Sequence, residues 1–210
     1  SKQKDFTTQK AVLATRMAVQ SAKKEKVKKF AFWVAPMKGE AETRNFYEQV
    51  VVSASMANFE FVKYKSPPKD GFSFVEEMQA ICQRPNKSIS EGFRRGAIIG
   101  EEVNACRELA NTPGGDMSPR VLAEHAKKDA KGTGIKVSVL DEKKIKSLKM
   151  GGILGVSKGS DEKPRFIVME YLKGPKGEKP VVLVGKGVTF DTGGLNLKPT
   201  DAITDMHLDM

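Results

Sequence analysis

The sequence of 210 residues predicts an α/β fold, and three features carry that expectation. Stretches of helical periodicity alternate with short strand-like runs. Val181-Val-Leu-Val184 is a continuous apolar run of the kind buried on both faces of a parallel sheet. Gly185 and Gly187 then bracket Lys186, at a strand end where open α/β sheets gather their ligands. The expected organisation is a partial N-terminal α/β domain over residues 1–86, a linking helix over 87–112, and the first half of a mainly parallel-sheet catalytic domain over 113–210.

Residues 8–29 read as an amphipathic helix, with Ala11, Ala14, Ala18 and Ala22 at helical spacing, followed by a buried strand from Phe30 to Ala35. A second helix is expected over 42–57 and an alternating strand over Phe59–Tyr64, before the loop Ser66-Pro-Pro-Lys-Asp-Gly71. Ser88 with Glu91 has the form of a capping box. The helix it opens places Ile99, Val103, Cys106 and Ala110 on one stripe and stops at Pro113-Gly-Gly115. Ser118 caps the next helix, with Pro119 in its first position and Gly132 closing it. Ile135, Val137 and Val139 alternate as a strand, Asp141–Leu148 form a short helix, and Arg165–Tyr171 and Val181–Val184 supply two further strands.

The chain carries a formal net charge of +10, concentrated in runs such as Lys23-Lys-Glu-Lys-Val-Lys-Lys29 and Asp141-Glu-Lys-Lys-Ile-Lys146. A surplus of this kind can hold nucleic acid through phosphate contacts, which makes a nucleic-acid-binding module the alternative function. Lysine dominates over arginine in these runs and no aromatic side chains interleave them to stack bases, so solvated helix faces are the expectation. No run reaches the length of a membrane span and no signal peptide is recognised, which points to a cytoplasmic protein. Cys82 and Cys106 have neither metal-finger spacing nor a disulfide framework, and reduced thiols are expected.

The chemistry concentrates near residue 190. A lysine emerging from an apolar strand is desolvated, which favours its neutral amine, and a neutral amine can ligate a metal that nearby carboxylates hold. Asp191, followed by Thr192-Gly-Gly194, stands at a sharp turn from which one carboxylate can bridge two cations. Lys186 and Lys198 beside Asp191 and Asp209 are equally compatible with neutralised surface charge.

This segment resembles the signature of the leucyl aminopeptidase family, dinuclear metallopeptidases that remove N-terminal residues. The similarity extends back through Arg107-Glu-Leu-Ala-Asn-Thr-Pro-Gly-Gly-Asp-Met-Ser118, Lys149-Met-Gly-Gly-Ile-Leu-Gly-Val-Ser-Lys-Gly-Ser160 and Pro164-Arg-Phe-Ile-Val-Met-Glu170, covering about residues 88–210. The resemblance implies that Lys186 ligates the second metal, that Asp191 bridges both, and that Asp209 completes the second site. It implies that Lys198 stays charged and polarises the scissile carbonyl, and that Met206 lines the pocket for the substrate's first side chain. Two divalent ions are implied, with zinc, manganese or magnesium suiting mixed amine and carboxylate ligation, together with peptide substrates, bicarbonate and a hexamer in the complete enzyme.

The family's later Asn-Thr-Asp-Ala-Glu-Gly-Arg motif, the source of further ligands and of the arginine that holds bicarbonate, does not occur in this sequence. The expectation is an internal segment of a longer enzyme, or one of two pieces that assemble, with activity requiring the rest. Asp191-Thr-Gly193 also matches the tripeptide of aspartic proteases, but those folds are nearly all β. Gly185-Lys-Gly187 lacks the spacing of a phosphate loop. His207 beside Asp209 is not a family ligand, and His125 is expected to be an ordinary helix residue.

Overall fold

A computed structural model describes residues 7–33, 39–81 and 85–209, with Glu40 and Asp209 described by their backbone alone. Residues Ser1–Glu108 and Leu109–Met210 form two compact units.

The first unit opens with α1, Thr8–Lys24, capped by the Thr7 hydroxyl, which accepts from the Lys10 N–H. The helix ends five residues before the expected position. Lys26 takes a left-handed φ of 56°, and Val27 and Lys26 donate to the Ala22 and Lys23 carbonyls, a Schellman closure made without glycine. The buried stripe is Ala11, Val19 and Ala22, whereas Ala14 and Ala18 are exposed, so two of the four alanines at helical spacing lie in the core and two do not.

β1 (Lys29–Trp33) and β2 (Glu77–Ile81) pair in parallel, with Lys29 opposite Glu77 and Trp33 opposite Ile81. Between them lies α2, Glu40–Asn58. The part of the first expected strand beyond Trp33 lies outside the described residues. The strand expected at Phe59–Tyr64 does not form. Phe59 caps α2 by donating to the Ser55 carbonyl, the chain turns at residues 63–65, and the place beside β1 is taken by β2.

The core of this unit consists of two clusters, one of Ala11, Phe46, Tyr47 and Val50 and one of Val19, Ala22, Ala54 and Val75. Asn58 clamps the chain entering β2: its amide donates to the Val75 carbonyl (2.8 Å) and its oxygen accepts from the Val75 N–H (2.9 Å). Carbonyls at the end of α2 also accept from more distant residues: Ser55, besides its bond from Phe59, from Asn104, Met56 from Arg107 and Asn58 from Lys23.

α3, Lys87–Asn111, starts from Asn86 rather than from the Ser88 capping box, since Asn86 Oδ1 accepts from the Ile89 N–H. Glu91 instead forms a bidentate pair with Arg94. The buried face of α3 is Gly92, Gly96 and Gly100 rather than a stripe containing Ile99 and Cys106, both of which are exposed. A Cβ at Gly96 would stand 2.7 Å from the Glu48 carbonyl oxygen, so hydrogen at this position is what allows α2 and α3 to approach.

The first lysine run is largely neutralised. Lys23 faces Glu60, Lys26 faces Asp70, Lys28 faces Glu76 and Lys29 faces Glu77. The carboxyls of Glu60, Glu76 and Glu77 are held below the usual glutamate value chiefly by hydrogen bonds from Lys65, Lys28 and Lys29 respectively.

In the second unit, α4 (Pro119–Asp129) is capped by Ser118 and carries Pro119 in its first turn, and the chain turns at Gly132 with φ of 78°, as the sequence predicts. β3 (Lys136–Leu140) leads into α5 (Glu142–Ser147), whose N-cap Asp141 accepts from the Lys144 N–H. A helix absent from the sequence-based expectation, α6 (Gly151–Ser157), follows. β4 (Phe166–Glu170) then pairs antiparallel with β3, Leu140 lying opposite Phe166. The α/β class holds, but within this unit the described strand pair is antiparallel. The chain re-enters the sheet at the end where it left, having folded through two short helices rather than one long crossover.

Val181–Val184 forms no strand among the described residues, and Val181, Leu183 and Val184 stand 89%, 91% and 92% exposed. A strand needs a neighbour's backbone to satisfy its N–H and C=O groups, and among the described residues no strand pairs with this segment. The unit closes with α7 (Thr200–Ile203) and a 3-10 turn over Met206–Asp209. Among the described residues, no helix is long and apolar enough to cross a membrane.

Candidate active site

The loop after Phe190 is built by backbone geometry before any side chain acts. The Lys198 N–H donates to the Thr192 carbonyl (2.9 Å), closing a loop in which Gly193 and Gly194 adopt φ of 91° and 81°. Such values strain any residue with a Cβ. Phe190 anchors the loop on Gly114, where a Cβ would stand 2.9 Å from the ring. Thr112, Met117 and Ser118, close to Gly114 in sequence, are buried.

Asp191 uses both carboxylate oxygens. Oδ1 accepts from the Gly193 N–H (2.9 Å) and Oδ2 accepts from Lys198 Nζ (3.1 Å). The Gly193 hydrogen bond, followed by Lys198 and the more distant charge of Lys186, holds the Asp191 carboxyl below the usual aspartate value. Lys198 Nζ also meets the sulfur of Met206 (2.6 Å), so Lys198 lies between a carboxylate and a thioether, both half-buried.

The structure therefore brings Asp191, Lys198 and Met206 together. Lys186 acts on Asp191 through its charge, but it is an exposed residue on a segment without strand pairing. The burial on which its expected desolvation depended is not present here. Asp209 closes the 3-10 turn by its backbone. His207 turns its Nδ1 to the Thr204 carbonyl (3.1 Å), a local contact. His125 is a half-buried residue of α4. Cys106 is an exposed free thiol, and Cys82 lies outside the described residues. The Gly193 N–H was not among the expected site groups, although an aspartate two residues before a glycine is the spacing of an Asx turn.

An ionised Asp191 suits a divalent ion, since an anionic oxygen donor is what hard and borderline ions require. Among the described residues no three His, Cys, Asp or Glu side chains converge.

The family model of the cytosol aminopeptidase family, catalytic domain, matches residues 104–210, about half of the chain and the half that contains this loop. The chain belongs to the cytosol aminopeptidase family. A probable cytosol aminopeptidase of Bdellovibrio bacteriovorus is 48% identical over 126 residues, covering 60% of this chain and 25% of its own length. One from Aquifex aeolicus is 38% identical over 176 residues, covering 84% of this chain and 34% of its own. The chain thus spans about a quarter to a third of the length of these curated relatives.

Among solved structures, a mutant of tomato leucine aminopeptidase superposes with a TM-score of 0.76 at 29% identity, covering 87% of this chain and 37% of the other. The bottromycin maturation enzyme BotP in complex with Mn gives a TM-score of 0.78 at 23% identity over 97% of this chain and 41% of the other, a likeness of fold. In this cytosol aminopeptidase chain, the glycine-closed loop is what brings Asp191 and Lys198 face to face.

Proposed function

We propose that the full-length protein is a cytoplasmic metal-dependent aminopeptidase that hydrolyses N-terminal residues from peptides. The observation that carries this reading is the carboxylate of Asp191, held by the Gly193 amide beside the Lys198 ammonium, within the region that matches the family's catalytic domain. Lys186, Asp191 and Asp209 are the residues proposed to hold two divalent ions, zinc or manganese, with magnesium a third option. Such ions, when bound, supply the acidity that makes water a nucleophile at neutral pH.

The chain's own residues do the remaining work described here. Lys198, beside Asp191, offers its side-chain nitrogen to the scissile carbonyl oxygen, where negative charge develops as the carbonyl is attacked. A fixed cation at that position lowers the barrier because it strengthens as charge accumulates. Met206, already packed on Lys198, lines the space for the first side chain of the peptide, and its unbranched thioether adapts to apolar residues of different shape. Bicarbonate as a base and assembly as a hexamer belong to the same proposal for the full-length protein.

The test is hydrolysis of a dipeptide series by the full-length protein, each with its N-terminus free or acetylated, before and after dialysis against a chelator. Cleavage confined to free N-termini, lost on chelation and restored by Zn2+ or Mn2+, is the expected result. Equal cleavage of blocked peptides, or activity indifferent to exhaustive chelation, would sink the proposal.

A further inference from the structure

We propose that Gly193 is a positioning residue for Asp191, acting through a hydrogen-bond donor and through the absence of a side chain. The proposal rests on Asp191 being a metal-binding carboxylate.

The donor is the Gly193 N–H, 2.9 Å from Asp191 Oδ1. It lies on the main chain, so it costs little side-chain entropy to hold in place. It fixes the plane of the carboxylate by engaging one oxygen, and thereby decides where the second oxygen points. That second oxygen is the one Lys198 Nζ reaches. Without the first contact the carboxylate is held by Lys198 alone, and a single contact does not fix the plane of the group.

The missing side chain matters equally. A Cβ on Gly193 would stand 2.6 Å from the Asn196 carbonyl oxygen, 3.0 Å from Lys198 Cγ and 3.1 Å from the Lys198 backbone nitrogen. Two of these three atoms are backbone, so they cannot move aside as a flexible side-chain end can. The turn that returns Lys198 to Asp191 therefore closes only over hydrogen at position 193. Gly194 is the natural control. Its φ of 81° is also left-handed, but a Cβ there meets nothing within 4 Å. The two alanine substitutions share the backbone penalty, and they differ in the collision and in the contact with Asp191.

The experiment compares Gly193→Ala and Gly194→Ala in the full-length protein, reading Mn2+ affinity by electron paramagnetic resonance. The melting temperature of each variant is recorded alongside. We expect Gly193→Ala to weaken Mn2+ binding by about 10- to 100-fold, the range seen when an orienting partner of a metal ligand is lost, and Gly194→Ala to change it by less than about threefold. Equal affinities in the two variants overturn the proposal. Residue-resolved hydrogen exchange on the unaltered protein decides the matter should Gly193→Ala fail to fold. The Gly193 amide is expected to exchange much more slowly than that of Gly194, and to lose this protection in Asp191→Ala. A Gly193 amide as fast as Gly194 overturns the proposal without reference to metal. An unaltered protein that binds no Mn2+ but protects Gly193 refutes the aminopeptidase reading while leaving the Asp191 geometry standing.

Discussion

Lys198 Nζ lies 3.1 Å from Asp191 Oδ2, across a loop whose backbone closes at Thr192 and Lys198. Seven positions apart in sequence, the two residues face each other because consecutive left-handed glycines reverse the chain between them.

The pair divides its labour. In the full-length protein, Asp191→Ala should abolish binding at both proposed metal positions together, because a shared ligand is lost. Lys198→Ala should leave metal content intact and lower kcat by about 10²- to 10³-fold, as expected for loss of a group that stabilises developing negative charge. Metal analysis beside steady-state kinetics checks this, and two variants with indistinguishable metal content would contradict it.

The same pair sets a pH dependence. The Asp191 carboxyl is depressed in the folded protein, first by the Gly193 amide and then by Lys198. A depressed acid stabilises the fold above its unfolded value, and the contribution disappears as pH falls through the lower, folded value. The Asp191 carboxyl carbon, followed by NMR, should therefore titrate below an aspartate in a peptide. A midpoint at or above the ordinary aspartate value would show that the amide and Lys198 contacts do not persist in solution.

Gly96 reverses the usual rule for glycine in a helix. At an exposed helix position Gly→Ala stabilises by about 1 kcal/mol. Here the added Cβ would stand 2.7 Å from the Glu48 carbonyl oxygen and 2.8 Å from Val51 Cβ. Gly96→Ala should instead destabilise by about 1–3 kcal/mol, the usual cost of overpacking, measured by denaturant unfolding. A stabilised variant would mean that α2 and α3 are not in close contact.

Asn58 offers a second test of the first unit. Asn58→Ala removes both side-chain hydrogen bonds to Val75, leaving a partly buried N–H and C=O without those partners. The expected loss is about 1–3 kcal/mol. Asn58→Asp should be destabilising too, since a carboxylate presents an acceptor to the Val75 carbonyl. An aspartate variant as stable as the parent would refute the clamp.

The neutralised lysine run predicts a chromatographic result. Glu76→Gln with Glu77→Gln should strengthen retention on a polyanion column at neutral pH, by freeing Lys28 and Lys29. No change in retention would show that these exposed pairs do not restrain their lysines.

What was legible in the sequence was whatever local chemistry fixes. Ser118-Pro119 and Asp141 cap their helices as read, because a cap is decided within one turn of chain. The family resemblance put Asp191 and Lys198 in one region, and the structure sets them 3.1 Å apart. The errors share a cause in long-range pairing. Phe59–Tyr64 has a strand's alternation, yet Glu77–Ile81, with a weaker pattern, pairs with β1. Ala14 and Ala18 lie at helical spacing, but an alanine stripe is too weakly apolar to specify which face is buried, and Val19 takes the core position. The face of α3 was misread because glycines contribute nothing to an apolar count while permitting the closest approach of all. Val181–Val184 has the composition of a buried strand, but composition does not supply the neighbouring backbone that makes one.

The contact of Lys198 with Met206 also bears on oxidative damage. Peroxide converts a thioether to a sulfoxide, replacing a weak sulfur acceptor by a strong oxygen one. A sulfoxide oxygen would accept from the Lys198 ammonium more strongly than the sulfur does, and would draw it from the position proposed for it beside the scissile carbonyl. The expected signature is an enzyme slowed by mild peroxide, recovered by methionine sulfoxide reductase, and resistant once position 206 carries leucine; equal sensitivity of that variant would place the damage elsewhere.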